Sequence, residues 1–434
     1  MADVSFVRTE MLPERAPPAT AVGIIGWMRA NLFSSVVNSI LTLIALAFVL
    51  MVLGNLVPWL LSPTWNAVSL TECRSILHDL GREGHLGGAC WGVIRDRWVQ
   101  LMFGFYPSSE YWRPILTFFM LALALAPILF AEHAPKKLIW FTAIFPFLMP
   151  WLLWGGTIWS PLGALVGFII AYFVYKAVAA AMSEALAMIA GLAAAIIWWM
   201  LLMGPIAGAL SSIMPFGFEA VQSRNFGGFL LSITIGVVAI GFSLPIGIVL
   251  ALGRQSDLPL VKYICVGFIE FIRGVPLITL LFVASTLLNI FLPPGTNFDI
   301  ILRVIIMATL FSSAYMAETI RGGLAALPTG QYEGADSLGL NYWQSQRLII
   351  MPQALKISIP GIVGNFIGLF KDTTLVSIIG LLDPIGLSTA IRADTAWNGV
   401  VWELYGFIAF MFFVFCFGMS RYSMYLERKL KTSH

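Results

Sequence analysis

The apolar residues of this chain come in unbroken runs about as long as the hydrocarbon core of a bilayer is thick, roughly 20 residues at 1.5 Å of helical rise each. That single feature fixes the solvent in which the chain folds. The runs do not alternate polar with apolar positions, so they are not the strands of a lipid-facing barrel. Nor is there enough charge to coat a soluble fold: 59% of the 434 residues are hydrophobic and 11% charged, against roughly a quarter charged in soluble domains. The expected fold class is an all-α integral membrane helix bundle, with the lipid bilayer as its surroundings. A net charge of +3 with no basic stripe excludes a nucleic-acid partner.

The first run, 36–61, follows a leader carrying Arg8, Arg15 and Arg29. It is too long for the apolar region of a cleaved signal peptide, and is read as a retained helix with its N-terminus in the cytoplasm. A polar stretch over 62–112, ending in the interfacial aromatics Trp98, Tyr106, Tyr111 and Trp112, reads as an external subdomain. Residues 115–131 lead to a turn holding Lys136 and Lys137, which the positive-inside rule puts in the cytoplasm, and 138–157 cross back. The stretch 160–208 is too long for one span and divides near Lys176 and Glu184. Five more spans are expected at 226–252, 260–291, 298–324, 355–381 and 401–424. Arg421, Arg428, Lys429 and Lys431 then place the C-terminus in the cytoplasm. The domain reading is a cytoplasmic leader at 1–34, an extension of about five membrane helices at 35–220, and a core at 226–430.

Cys73, His78, His85 and Cys90 follow a C-x4-H-x6-H-x4-C order in the external loop. Three readings stay open: a zinc tetrad, whose spacing is loose, a Cys73–Cys90 disulfide in an oxidising compartment, and two unpaired thiols. No metal is expected. Cys265 and Cys416 fall in apolar runs and read as packed hydrophobes.

The segment LPTGQYEGADSLGLNYWQSQRLIIMPQ is too polar to be a span yet carries helix signals. Pro328 and Gly330 make a turn, and residues 331–338 form a short helix ended by Gly339 at positive φ. Asn341 caps a second helix with Gln344 completing a capping box, and Pro352 is expected to stop it. This predicts a helix-turn-helix whose Tyr342, Trp343, Leu348 and Ile349 either dock another protein or pack under the bundle.

Glu333-Gly334-Ala335, then Gly339, Ile349 and Met351-Pro352, resemble the EAA loop of permease subunits in ABC importers, E-A-A-x3-G-x9-I-x-L-P. The spacing matches throughout, with Gly334 in place of the first Ala and Met351 in place of Leu. FIEFIRGVPLITLLF, AETIRGGLAALPTGQYEGA and LFKDTTLVSIIGLLD look like the polar-amino-acid branch of that family. The long N-terminal extension is similar to the M-type permeases of general L-amino-acid importers of the glutamate, glutamine, aspartate and asparagine class. The resemblance implies a type I (MetI-like) transmembrane domain with extra N-terminal helices, in a bacterial inner membrane. It implies that Glu333 to Pro352 form the coupling helices for an ATPase. The implied partners are a homologous Q-type permease, two ATP-binding subunits and a periplasmic amino-acid-binding protein. ATP and Mg would sit on the ATPase. In keeping with this the chain has no G-x-x-x-x-G-K-[ST] phosphate loop, and no cofactor is expected in it.

Ionisable groups in apolar runs need a reason. Glu270 with Arg273, and Glu318 with Arg321, are opposite charges at i, i+3, read either as gating contacts or as local neutralisation near the headgroups. Lys371 and Asp372, beside Thr373, Thr374 and Ser377, offer a zwitterionic amino acid both charges and hydroxyls. They read as lining of the translocation path or as structural pairs, with Asn365 and Asn289 as weaker candidates of the same kind. Gly361, Gly364 and Gly368 form a small-residue stripe that reads as helix packing. The alternative function is an ion-coupled secondary transporter driven through these charges. A membrane enzyme is excluded for want of a Ser/His/Asp or H-E-x-x-H pattern.

Overall fold

The computed structural model describes residues 22–82, 87–287, 290 and 299–430. Arg8, Arg15, His85, Asn289 and Lys431 lie outside the described residues. Among those described, nine helices are long and apolar enough to cross a membrane, or up to 10 if one sharply bent pair counts as a span. The chain divides into two compact units, Met1–Gly92 and Val93–His434.

In the first unit, α1 (Gly23–Asn31) precedes α2 (Val36–Leu60). Ser35 caps α2 by accepting the Asn38 N–H at 3.2 Å, and the helix is apolar on every side, as a lipid-facing span must be. Its 25 residues rise about 38 Å, enough to cross. Beyond it, the Thr64 hydroxyl donates to the Ala89 carbonyl at 2.5 Å and accepts the Trp91 N–H at 3.0 Å, folding the loop back on itself. Helix α3 (Leu70–Asp79) is capped by Ser69. Cys73 and Cys90 are joined by a disulfide with Cα atoms 5.9 Å apart, buried with Ala67 and Leu77.

Helix α4 (Gly92–Phe103) belongs to the second unit from Val93 on, followed by the packed pair α5 (Trp112–Leu129) and α6 (Ile139–Trp154). Next come α7 (Trp159–Ala179), α8 (Glu184–Ile197) and α9 (Met203–Ile213), with the break falling between Lys176 and Glu184 as the hydropathy requires. A short antiparallel ladder of β1 (Gly156–Thr157) and β2 (Gly217–Phe218) closes this excursion. Its clasp is Arg113, whose side chain is fully buried. It donates to the carbonyls of Leu152 (2.6 Å) and Glu219 (2.9 Å), lies 3.4 Å from the Glu110 carboxylate, and sits 5.4 Å from the Phe218 ring centroid. A buried guanidinium satisfied on several sides holds three chain segments in one geometry. The neighbouring Tyr106 hydroxyl donates to the Leu153 carbonyl at 2.8 Å, and burial pushes its pKa up to about 12.

The remaining helices are α10 (Gly228–Arg254), α11 (Pro259–Gly274), α12 (Leu277–Phe282), α13 (Ile300–Ala325), α14 (Gly330–Ser337), α15 (Tyr342–Ser345), α16 (Met351–Asp372), α17 (Pro384–Ala393) and α18 (Trp402–Leu430). Packing runs α10 on α13, α13 on α16 and α16 on α18. The close approaches are made by small residues: a Cβ at Gly247 would stand 2.7 Å from the Met316 Cβ, and one at Gly323 2.5 Å from the Ala354 carbonyl oxygen. One expected span is bent and one expected helix end fails. The span expected at 260–291 bends by 100° between α11 and α12, because Pro276 forces Val275 to extended backbone (φ −107°, ψ 131°). Pro352 does not stop the second helix of the polar loop. It sits at the second residue of α16, directly after a π-helical turn at Gln346–Ile350, and the helix continues through it. Helical backbone therefore runs without a break over Tyr342–Ile379.

Candidate functional site

Two places concentrate the residues that the sequence singles out, and an ionic network lies between the helices that serve them.

The first is the polar loop. Helix α14 ends in a Schellman motif: the Leu340 N–H donates to the Ala335 carbonyl at 3.2 Å and the Gly339 N–H to the Asp336 carbonyl at 2.9 Å. Gly339 has φ +68°, and a Cβ there would meet nothing within 4 Å, so the backbone conformation alone requires glycine. Asn341 and Gln344 form the capping box, the Gln344 N–H donating to Asn341 Oδ1 at 2.9 Å and the Asn341 N–H to Gln344 Oε1 at 3.0 Å. Ala335 and Ile350 are fully buried, the latter beside Leu327 and Ala354. Gln353 Nε2 donates to Gln331 Oε1 at 2.8 Å, tying α14 to α16. Against this anchored side, Leu338, Tyr342, Trp343 and Leu348 are left exposed, with Trp343 at 69%. Ile349 is half-buried and packs inward; Glu333, Gly334 and Pro352 are exposed; Met351 is half-buried.

The second is the far end of α16. After Asp372 the α-helix tightens to a 3₁₀ segment, Thr373–Ile379, which packs against α12, the short arm beyond the Pro276 break. Two interrupted helices thus meet. Between them is a cavity of about 10 Å³ lined by Asp372, Thr373, Leu277 and Ile235, room for about one water. Lys371 is exposed while Asp372 is half-buried, since neighbours on a helix point about 100° apart. The hydroxyls of Thr373 and Thr374 donate to the carbonyls of Phe370 (2.7 Å) and Lys371 (2.8 Å) of their own helix. Asn365 instead reaches across to α13, donating to Thr319 Oγ1 at 2.8 Å. Of the glycine stripe, only Gly361 is in close packing, against Thr319; a Cβ at Gly364 or Gly368 would meet nothing within 4 Å.

The ionic network differs from the two i, i+3 pairs expected. Glu318 and Arg321 do pair, at 3.0 Å. Glu270 pairs with Arg254 at 2.8 Å, and the same Arg254 Nη1 lies 2.7 Å from Glu318. Arg273 lies 3.7 Å from Glu318 and stacks on Tyr315 at 5.6 Å. Arg254, from the end of α10, is thus the hub joining α11 to α13, and reading each helix by itself misses it. Glu318, with a side chain 16% exposed, is the acceptor all three arginines share.

A multi-pass helical bundle without a nucleotide-binding loop, carrying an anchored helix-turn-helix with an exposed apolar face, has the build of a transporter's membrane subunit that works with a separate motor. The family described as binding-protein-dependent transport system inner membrane component matches residues 243–432. The chain is 58% identical, over 100% of both chains, to the glutamate/glutamine/aspartate/asparagine transport system permease protein BztC of Rhodobacter capsulatus. It is 37% identical to the inner membrane amino-acid ABC transporter permease protein YhdY of Escherichia coli, over 94% of this chain and 93% of that one. It is 30% identical to the probable glutamine ABC transporter permease protein GlnM of Bacillus subtilis, over 49% of this chain and 95% of that one. The chain belongs to the family of amino-acid ABC transporter permeases: it is a multi-pass inner-membrane transport subunit, not an enzyme, and as such it serves with an ATPase and a binding protein.

Proposed function

We propose that this chain is the M-type permease subunit of an importer of polar L-amino acids of the glutamate, glutamine, aspartate and asparagine class. The observation that carries the reading is the full-length likeness to BztC, which includes the N-terminal extension as well as the core. In this reading residues 226–430 are the transport core, 35–220 the extension and 1–34 a leader. Both termini face the cytoplasm and the loop at 62–112 faces the periplasm. The segment from Glu333 to Pro352 docks in a groove of the ATPase. Its buried Ala335 and Ile350 hold it to the bundle while the exposed Tyr342, Trp343 and Leu348 supply the apolar contact. Two ATPase copies bind ATP and Mg, a homologous Q-type permease completes the path, and a periplasmic protein delivers the amino acid. Lys371, Asp372, Thr373 and Thr374 border the path where the two interrupted helices meet, an arrangement suited to a zwitterion. Glu270, Arg273, Glu318 and Arg321, gathered by Arg254, hold the cytoplasmic ends of α10, α11 and α13 as one body.

Affinity purification from the native membrane in mild detergent, followed by identification of co-purifying chains and an ATPase assay, tests this. An ATPase and a homologous permease are expected. A lone oligomer that carries amino acids in vesicles under an ion gradient, with no ATPase, would replace it with an ion-coupled secondary transporter.

A further inference from the structure

In the second unit, a crevice of about 760 Å³ separates α5, α6 and α7 from α10 and α13. Every one of these helices is a candidate membrane span. The walls are hydrocarbon, including Leu125, Phe145, Met149, Phe242 and Ile305. The three side chains on its lining with polar atoms already have partners, the Trp154 indole N–H donating to the Ser223 hydroxyl at 2.6 Å. The Thr142 hydroxyl donates to the Ala124 carbonyl at 2.7 Å. The Asp299 carboxylate accepts the N–H groups of Ile301 (2.9 Å) and Leu302 (3.1 Å) and the Ser223 hydroxyl. Away from Asp299 such a space offers water no partners, and at this depth the medium around it is acyl chain. The α6 residues on its lining run from Thr142 to Trp154, about 18 Å of helix, against a depth of roughly 15 Å for one leaflet's hydrocarbon.

The two ends carry opposite charge. Lys136 and Lys137 lie five to six residues before Thr142 in the sequence, about 8–10 Å away along the helix. Both are exposed and make no ion pair among the described residues. Trp140 beside them is 73% exposed, as an interfacial anchor is. The Asp299 carboxylate lies at the Trp154 end, joined to that indole through the Ser223 hydroxyl, and repels an anion. We propose that the crevice is a binding site for one anionic phospholipid, an acyl chain lying along α6 and its phosphate on Lys136 and Lys137.

The test uses the complex purified from its native membrane and the mass-spectrometric count of phospholipid retained through detergent washing. One anionic phospholipid per chain is expected. Replacing both lysines (Lys136→Gln with Lys137→Gln) should weaken retention about thirtyfold. Gly241 lines the crevice and a Cβ on it meets nothing within 4 Å, so Gly241→Phe should fill the space and abolish retention while Gly241→Ala keeps it. Equal retention in all variants, or equal retention of a zwitterionic lipid, overturns the proposal. So does an ultraviolet-induced cross-link from a benzophenone amino acid placed at Phe242 to a protein segment, which would mean that another helix covers the crevice.

Discussion

Gly339 offers a perturbation whose cost is backbone strain alone. Its φ is +68° and a new Cβ would meet nothing within 4 Å, so no clash confuses the result. Alanine in this left-handed conformation costs about 1–2 kcal/mol and a β-branched residue more, while asparagine is tolerated. At about 1.4 kcal/mol per factor of ten, alanine shifts the turn's population about fivefold or more, and valine, at about 2 kcal/mol or more, about thirtyfold or more. What is lost is the Schellman pair, the Leu340 N–H on Ala335 and the Gly339 N–H on Asp336, and with it the angle between α14 and α15. The assay is amino acid taken up per ATP hydrolysed by the complex in proteoliposomes. Gly339→Asn should stay near the parent, Gly339→Ala fall modestly, and Gly339→Val hydrolyse ATP with little uptake while still reaching the membrane. A parental ratio for Gly339→Val would refute the coupling role of the turn, whatever the other two do.

Arg254→Ala leaves Glu270 without its partner and removes the hub from Glu318; it should lower the melting temperature more than Arg321→Ala, whose side chain is more exposed and pairs with Glu318 alone. Equal melting temperatures of the two variants would remove Arg254 from its central place. Lys371→Ala and Asp372→Ala should change uptake of charged and neutral amino acids to different extents, and the same loss across all substrates would make the two a structural pair. Asp383 is fully buried at the N-cap of α17, where burial raises its pKa from 3.8 to about 6 despite N–H donors from Ile385 and Gly386. The folded state therefore binds the proton more tightly than the unfolded chain. Stability falls as pH rises from about 4 to 6, by up to about 3 kcal/mol, and is flat above. Asp383→Asn keeps one acceptor oxygen for the Gly386 N–H, gives up the Ile385 bond and should lose this slope in thermal melts, and parallel pH profiles for the two proteins would contradict it.

The spans were legible because bilayer thickness sets a length that any apolar run either meets or misses, and the division between Lys176 and Glu184 followed from it. The capping box at Asn341 and Gln344 and the positive φ at Gly339 were legible because they are made within a few residues. Proline was not. Pro58, Pro245 and Pro360 sit inside helices while Pro276 turns the chain by 100°, and which occurs depends on what neighbouring helices hold in place. Charges misled for a related reason. The spacing of Glu270 and Arg273 permits a pair, but Arg254 arrives from another helix and is closer. Arg113 falls between the polar stretch 62–112 and the run that starts at 115, and nothing nearby in sequence announces that its partners are the carbonyls of Leu152 and Glu219. Lys371 and Asp372 are adjacent in sequence, yet they differ in exposure because a helix turns between them.

The unbroken helical backbone over Tyr342–Ile379 makes the proposed docking segment and the Lys371–Asp372 region two ends of one rod. From Tyr342 to Asp372 that rod is about 45 Å long, so a tilt of about 5° about one end sweeps the other through about 4 Å. A small rocking imposed by the motor at Trp343 would arrive as a displacement the size of a side chain at Asp372. No relay of intervening contacts is then required, and stiffness of the rod, set by the π turn and Pro352 near its base, becomes the quantity that determines how faithfully the stroke is delivered.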